Sequence, residues 1–109
     1  MTAKTQNKKL DCTEDEAKRF IGKSVLVGLT YMSSENEVEK EEEFHGTIVR
    51  VNAKEGIVVK LGNSKIERFL PPQVSRLEMM RPGNYKVLST GEIVTDPDFS
   101  GVWVIYSKK

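Results

Sequence analysis

The hydropathy period of this chain changes once, and that change limits the folds open to it. From Ser24 onward Val25, Val27, Leu29 and Tyr31 alternate with Leu26, Gly28, Thr30 and Met32, a period of two that suits an extended strand and no helix. Both parities are partly apolar, as in a strand of a small barrel. The polar stretch Ser33-Ser34-Glu35-Asn36-Glu37 reads as a turn. A second strand, bent at Gly46, is expected from about Glu42 to Val51, with Phe44, Gly46 and Ile48 on one parity. The tight connection 52–56 leads into Ile57 to Leu61, and Gly62-Asn63-Ser64 leads into Ile66 to Leu70. Pro71-Pro72 ends that strand, because neither proline can donate to a ladder. Val74 to Met80 fits a short strand or a single helical turn equally well.

Ahead of the strands, Thr13-Glu14-Asp15-Glu16 has the spacing of a capping box, and Ala17, Phe20 and Ile21 form a short apolar stripe that Gly22 can terminate. A helix of at most two to three turns is expected there. Residues 1–12 lack periodicity and read as a flexible basic tail, leaving 13–109 as a single small domain. The last third is expected to be an appended hairpin. Tyr85 and Val87 lead through Thr90-Gly91-Glu92 to Ile93-Val94, then through Asp96-Pro97-Asp98 to an apolar end from Val102 to Tyr106. In that end Trp103 and Ile105 share one parity, and Val102, Val104 and Tyr106 the other.

With 109 residues there is room for one core. No apolar run approaches the length of a spanning helix, and the polar, lysine-rich start carries no secretory pattern. One cysteine, Cys12, permits no internal disulfide. These features lead us to expect a cytoplasmic protein without a membrane partner.

The succession of a helix, Gly22-Lys23-x-Val25-x-Val27-x-Leu29, Gly46-x-Ile48 and Gly56-Ile57-x-Val59-x-Leu61 resembles the Sm-like fold, the strongly bent five-stranded barrel of Sm and Hfq proteins, over residues 13–80. The resemblance implies a mainly β chain forming a small, strongly bent barrel, with the N-terminal helix and the C-terminal hairpin as additions. It does not carry the family's RNA site. Asn52 and Gly56 stand where the Sm loop has its Asp and Asn, and Pro71-Pro72 where it has Arg-Gly. The segment from Tyr85 to Phe99, followed by Trp103, is similar to an uncharacterised family of small bacterial proteins and implies no activity.

No nucleophile, base and orienting group stand together in the sequence, so no catalytic residue and no cofactor are assigned. His45, the single histidine, is expected to point outward beside the acidic turn. Cys12 is expected to be an exposed, unperturbed thiol. Asp96 and Asp98 flank Pro97 as ordinary turn residues, although paired carboxylates could also serve acid–base chemistry or a hard cation. Gly-rich phosphate loops are absent.

Charge is more telling. Seventeen basic and sixteen acidic side chains leave a net charge of +1, which lacks the bulk footprint of a DNA-binding protein. Locally the balance is steep. Residues 24–43 carry Glu35, Glu37, Glu39, Glu41, Glu42 and Glu43 against Lys40, a charge of −5, whereas residues 44–81 sum to +4. The acidic hairpin is a candidate docking surface for another protein, or a solvated edge whose charge prevents strand pairing. Arg50, Lys60 and Arg68, with Phe69 and Tyr85 nearby, are candidate contacts to single-stranded nucleic acid. The expected function is a non-enzymatic binding module for protein interaction or assembly, including self-association. RNA or single-stranded DNA is the alternative partner, favoured if the basic residues converge on one concave face.

Overall fold

The computed structural model describes residues 11–62 and 64–106. The chain is mainly β with one short helix. Helix α1 (Glu14–Ala17) continues into a 3-10 turn, Lys18–Phe20. The strands are β1 (Ser24–Met32), β2 (Val38–Asn52), β3 (Gly56–Leu61), β4 (Glu67–Leu70), β5 (Glu78–Met79), β6 (Asn84–Lys86), β7 (Ile93–Thr95) and β8 (Phe99–Tyr106). Six form one sheet in the order β4-β3-β2-β1-β8-β5, and β6 with β7 forms a separate two-stranded sheet. All neighbours pair antiparallel except β1 and β8, which are parallel.

Local chemistry accounts for the entry. The capping box forms as its spacing predicts, with the Thr13 amide donating to Glu16 Oε1 at 2.9 Å and the Glu16 amide to Thr13 Oγ1 at 3.0 Å. Gly22 adopts φ 90° and stops the helical segment. The turn is then stitched to β2, because the Gly22 amide donates to the Ile48 carbonyl at 2.7 Å and the Ile48 amide to the Lys23 carbonyl at 2.9 Å. Ala17 and Phe20 thereby reach the same core as Val25, Val27, Leu29, Ile48, Ile57, Val59 and Trp103. Phe20 meets Phe99 edge to face at 5.2 Å between ring centroids.

At Gly46, where the bend is expected, the bare position has a steric reason. A Cβ there would lie 2.2 Å from the Lys60 carbonyl oxygen, so β2 and β3 approach as closely as they do only because position 46 has no side chain. A bulge follows between Ile48 and Arg50 and adds to the curl.

Several expectations need correction. The sheet does not close into a barrel: β4 and β5 remain its two edges, and no ladder joins them among the described residues. Pro71-Pro72 ends β4 after four residues and β5 has only two, so neither offers enough backbone for closure. The C-terminal extension is a hairpin only in β6 and β7. The apolar end returns to the main sheet as β8, parallel to β1. Asp98 makes that return, accepting from the Ser24 amide at 3.0 Å and the Ser24 hydroxyl at 3.2 Å while its own amide donates to Ser24 Oγ at 2.9 Å. Both strands thus start from one clamp and run the same way. Strand β2 begins at Val38, ahead of the start expected near Glu42, so Glu39 and Glu41 are in strand as well. The ambiguous segment is both things in sequence: a 3-10 turn at Val74–Arg76, then β5.

Cys12 also departs from expectation. It is half-buried against the core, and burial, followed by the neighbouring Asp11 and Glu16 charges, pushes its thiol above the ordinary range. Asp11 anchors this stretch. Its carboxylate accepts from the amides of Val74 (2.8 Å) and Ser75 (3.2 Å) and from the Ser75 hydroxyl (2.7 Å). Burial would raise its pKa, but those hydrogen bonds hold it below the usual value. Residues 1–10 of the expected tail lie outside the described residues.

Candidate interaction surface

Side-chain alternation divides the curled sheet into a core face and an outer face. On β2 the core-facing parity carries Glu42, Phe44 and Ile48, and the outer parity Glu41, Glu43 and His45. The six glutamates of the acidic hairpin therefore do not share one fate.

Glu42 is taken up in an ion pair at the rim of the core. Arg68 Nη1 and Nη2 donate to its two oxygens at 3.0 and 2.8 Å, and the Tyr31 hydroxyl donates to Oε1 at 3.0 Å. The Arg68 guanidinium lies 4.5 Å from the Phe44 ring centroid. The hydrogen bond from Arg68, supported by that from Tyr31, holds the Glu42 carboxyl below the usual range. The same contact raises Arg68, and burial followed by the Glu42 carboxylate raises the Tyr31 hydroxyl. Glu43 turns to the opposite face, where its carboxylate accepts from the Leu88 amide at 2.8 Å and its carbonyl from the Ser89 hydroxyl at 3.0 Å. Glu35, Glu37, Glu39 and Glu41 are exposed, and among the described residues none joins an ion pair.

The three basic candidates do not gather on one face: Arg50 and Lys60 share the outer parity of β2 and β3 around Glu67, and Arg68 lies on the other. Arg50 sits on the outer face, its guanidinium donating to Glu55 through Nε (2.9 Å) and Nη2 (3.1 Å) and to Glu67 through Nη1 (3.2 Å) and Nη2 (2.9 Å). Asn52 donates to Glu55 as well, at 3.0 Å, and Glu55 is held below its ordinary pKa by Arg50 and then Asn52. Arg68 lies on the core-side parity of β4, beside Val59. Lys60 alone of the three stands outside an ion pair among the described residues.

His45 and the aspartates hold parts of the structure together. His45 Nε2 lies 3.1 Å from Glu92 Oε1, which docks the loop between β6 and β7 onto β2. The cavity beside it, about 290 Å³, is lined in part by Phe44, Leu61, Ser64 and Thr90, and neither Asp96 nor Asp98 reaches it. Asp96 accepts from the Gly83 amide at 2.8 Å, and Asp98 serves the Ser24 clamp. Among the described residues no three Asp, Glu, His or Cys side chains are grouped to hold a metal ion.

A feature not assigned from the sequence is the free edge of β8. Its inner edge pairs with β1 along the whole strand, but β5 covers its other edge only at Phe99 and Ser100. The Met80 amide donates to the Asp98 carbonyl, and strand alternation then turns the amides and carbonyls of Val102, Val104 and Tyr106 toward the uncovered side. Their side chains lie on the outer face and are 57%, 39% and 60% exposed, while Trp103 on the core face is fully buried. The parity of these residues was legible in the sequence; the missing neighbour was not. A cleft of about 500 Å³ opens where β5 leaves β8, beside Arg76, Glu78 and Val102. No helix among the described residues is long and apolar enough to cross a membrane. No protein-family model, curated protein or solved structure matches the chain.

Proposed function

We propose that this chain is a non-enzymatic binding module whose partner is a protein, engaged by strand addition along β8. The observation that carries this reading is the uncovered backbone of Val102, Val104 and Tyr106 beneath exposed apolar side chains. Main-chain groups of that kind supply affinity to an added strand, and alternate side chains supply selectivity. The resemblance of residues 13–80 to Sm-like proteins, which work as assemblies, points the same way. Glu35, Glu37, Glu39 and Glu41 then serve as a charged guard that keeps the bare part of β2 from pairing. The nucleic-acid alternative loses support because Arg50 and Arg68 are each engaged by carboxylates and face opposite sides of the sheet.

Val104→Pro tests the reading. The substitution removes an amide that faces the uncovered edge and leaves the β1 ladder its donors, which is where an edge strand tolerates proline. The immobilised wild-type chain should retain a protein partner that the folded variant releases. Salt-sensitive binding of single-stranded RNA, unchanged by Val104→Pro, would overturn the proposal in favour of nucleic acid.

A further inference from the structure

We infer that the occupant of the β8 edge is a second copy of this chain, added antiparallel about a two-fold axis at Val104; this rests on the binding-module reading and names its partner. Besides the two-residue edge of β5, which carries Glu78, three stretches of backbone in the sheet are uncovered among the described residues. The one on β2 carries Glu39, Lys40 and Glu41, and the one on β4 carries Glu67 and Arg68 ahead of Pro71-Pro72. Charges and prolines of this sort are how edges resist pairing. The stretch from Gly101 to Tyr106 has no charge, no proline and no register shift against β1. Nothing in it selects a charged partner, and nothing in it repels its own copy.

The register follows from the geometry. A two-fold axis perpendicular to the sheet keeps outward residues opposite outward residues, and an axis through a hydrogen-bonded pair needs a residue whose amide and carbonyl face the edge. Val104 meets both conditions. Centred there, Val102 lies opposite the copy's Tyr106 and Val104 opposite its counterpart, so an aromatic ring covers a β-branched side chain at each end. Moving the centre one residue back, to Trp103, would bring Tyr106 against Ser100, which β5 already occupies through Glu78. Among the described residues the Val104 register uses the open stretch and stops short of that strand.

The acidic hairpin does not oppose this pairing. On the outer face Gly28 and Thr30 of β1 separate β8 from Glu43 and Glu41 of β2. Across the joined sheets the two acidic rows would be five strand spacings apart, roughly 24 Å. That exceeds the Debye length of about 8 Å at physiological salt. The joined edges would form a continuous sheet with isologous symmetry, the commonest form of homodimer.

The experiment uses single cysteines in a Cys12→Ser background under mild oxidation, with mass measured by light scattering. Val104→Cys places the two thiols on directly opposed residues, whose Cα separation of about 5.5 Å suits a disulfide. Val102→Cys leaves its thiols four residues out of register, roughly 14 Å apart along the strands. The expected result is a wild-type dimer at high protein concentration and at least tenfold (~10×) faster cross-linking of Val104→Cys than of Val102→Cys, as the distance difference demands. Equal cross-linking of the two variants, or a wild-type chain that stays monomeric up to about 1 mM, overturns the inference. A monomeric wild type whose partner is still released by Val104→Pro overturns self-pairing while leaving the binding-module reading in place.

Discussion

Replacing Gly46 with alanine tests how β2 shapes the sheet. A Cβ at this position would lie 2.2 Å from the Lys60 carbonyl oxygen, 2.8 Å from Val59 Cγ1 and 3.0 Å from the Lys60 carbonyl carbon. Two of those atoms are β3 backbone, held by the pairs Gly46 with Leu61, Thr47 with Lys60 and Ile48 with Val59. Real Cβ contacts essentially never fall below 3.0 Å, so β3 must retreat by at least 0.8 Å, the difference between 3.0 and 2.2 Å. That retreat loosens the ladder and moves Val59, which is fully buried. Overpacking of a core costs about 1–3 kcal/mol, and a clash with backbone belongs at the upper end. The lower entropy of an unfolded alanine returns about 0.4–1 kcal/mol, leaving a net loss of about 2 kcal/mol. For a domain of this size each kcal/mol moves Tm by about 4–8 °C, so Tm should fall by roughly 8–16 °C. Gly28 is the internal control. Its added Cβ would meet only Val102 Cγ2, at 3.5 Å, an ordinary contact, and Gly28→Ala should change stability by no more than about 0.5 kcal/mol or raise it slightly. Urea denaturation followed by the fluorescence of Trp103, the single tryptophan and fully buried, measures both variants. Equal losses at the two glycines, or a neutral Gly46→Ala, would refute the claim that β2 and β3 can pair this closely only with position 46 bare.

The Glu42 carboxyl, held low by Arg68, should contribute stability above its unfolded pKa and lose that contribution as pH falls through its lower folded value. The stability gap between wild type and Glu42→Gln should therefore narrow from pH 7 toward pH 2 in urea titrations; a constant gap would show that the carboxylate charge contributes nothing. Asp98→Ala removes the two hydrogen bonds that its carboxylate accepts from Ser24 and keeps the one its amide donates to Ser24 Oγ; it should cost about 1–2 kcal/mol. Its signature is faster hydrogen exchange at the first residues of both strands, and protection unchanged there would contradict the clamp. In His45→Ala the loop from Leu88 to Glu92 loses one of its ties to β2. Amide exchange should rise in that loop and stay as in wild type in β3, with stability lowered by no more than about 1 kcal/mol.

Features governed by near neighbours could be read directly from the order of residues. The Thr13–Glu16 box spans three positions, the stop at Gly22 needs only a residue that accepts positive φ, and the alternation in β1 and β8 separates Trp103 from Val102 without knowledge of any partner. That β2 needs a glycine at 46 was not legible, since the Lys60 carbonyl that fills the space belongs to another strand. The candidate charges were less transparent. Glu42 and Arg68 are 26 positions apart, Arg50 and Glu67 are 17, and composition alone cannot tell a free cation from one held by two carboxylates. The burial of Cys12 is hidden for a similar reason, because the turn that anchors Asp11 lies more than sixty residues away.

By itself the sequence determined that this chain would be mainly β, where its helix would start and stop, and which face of each long strand would be apolar. Those are matters of local sterics, capping and period, acting within a few residues. Tertiary structure alone decided that β8 would lie parallel to β1, that the sheet would stay open, and that β5 would cover only two residues of β8. Such pairings depend on which distant backbones meet once the core has formed. The same step neutralised Arg50 and Arg68 and left Val102, Val104 and Tyr106 with hydrogen-bonding groups turned outward, moving the candidate surface from the charged hairpin to an uncharged edge.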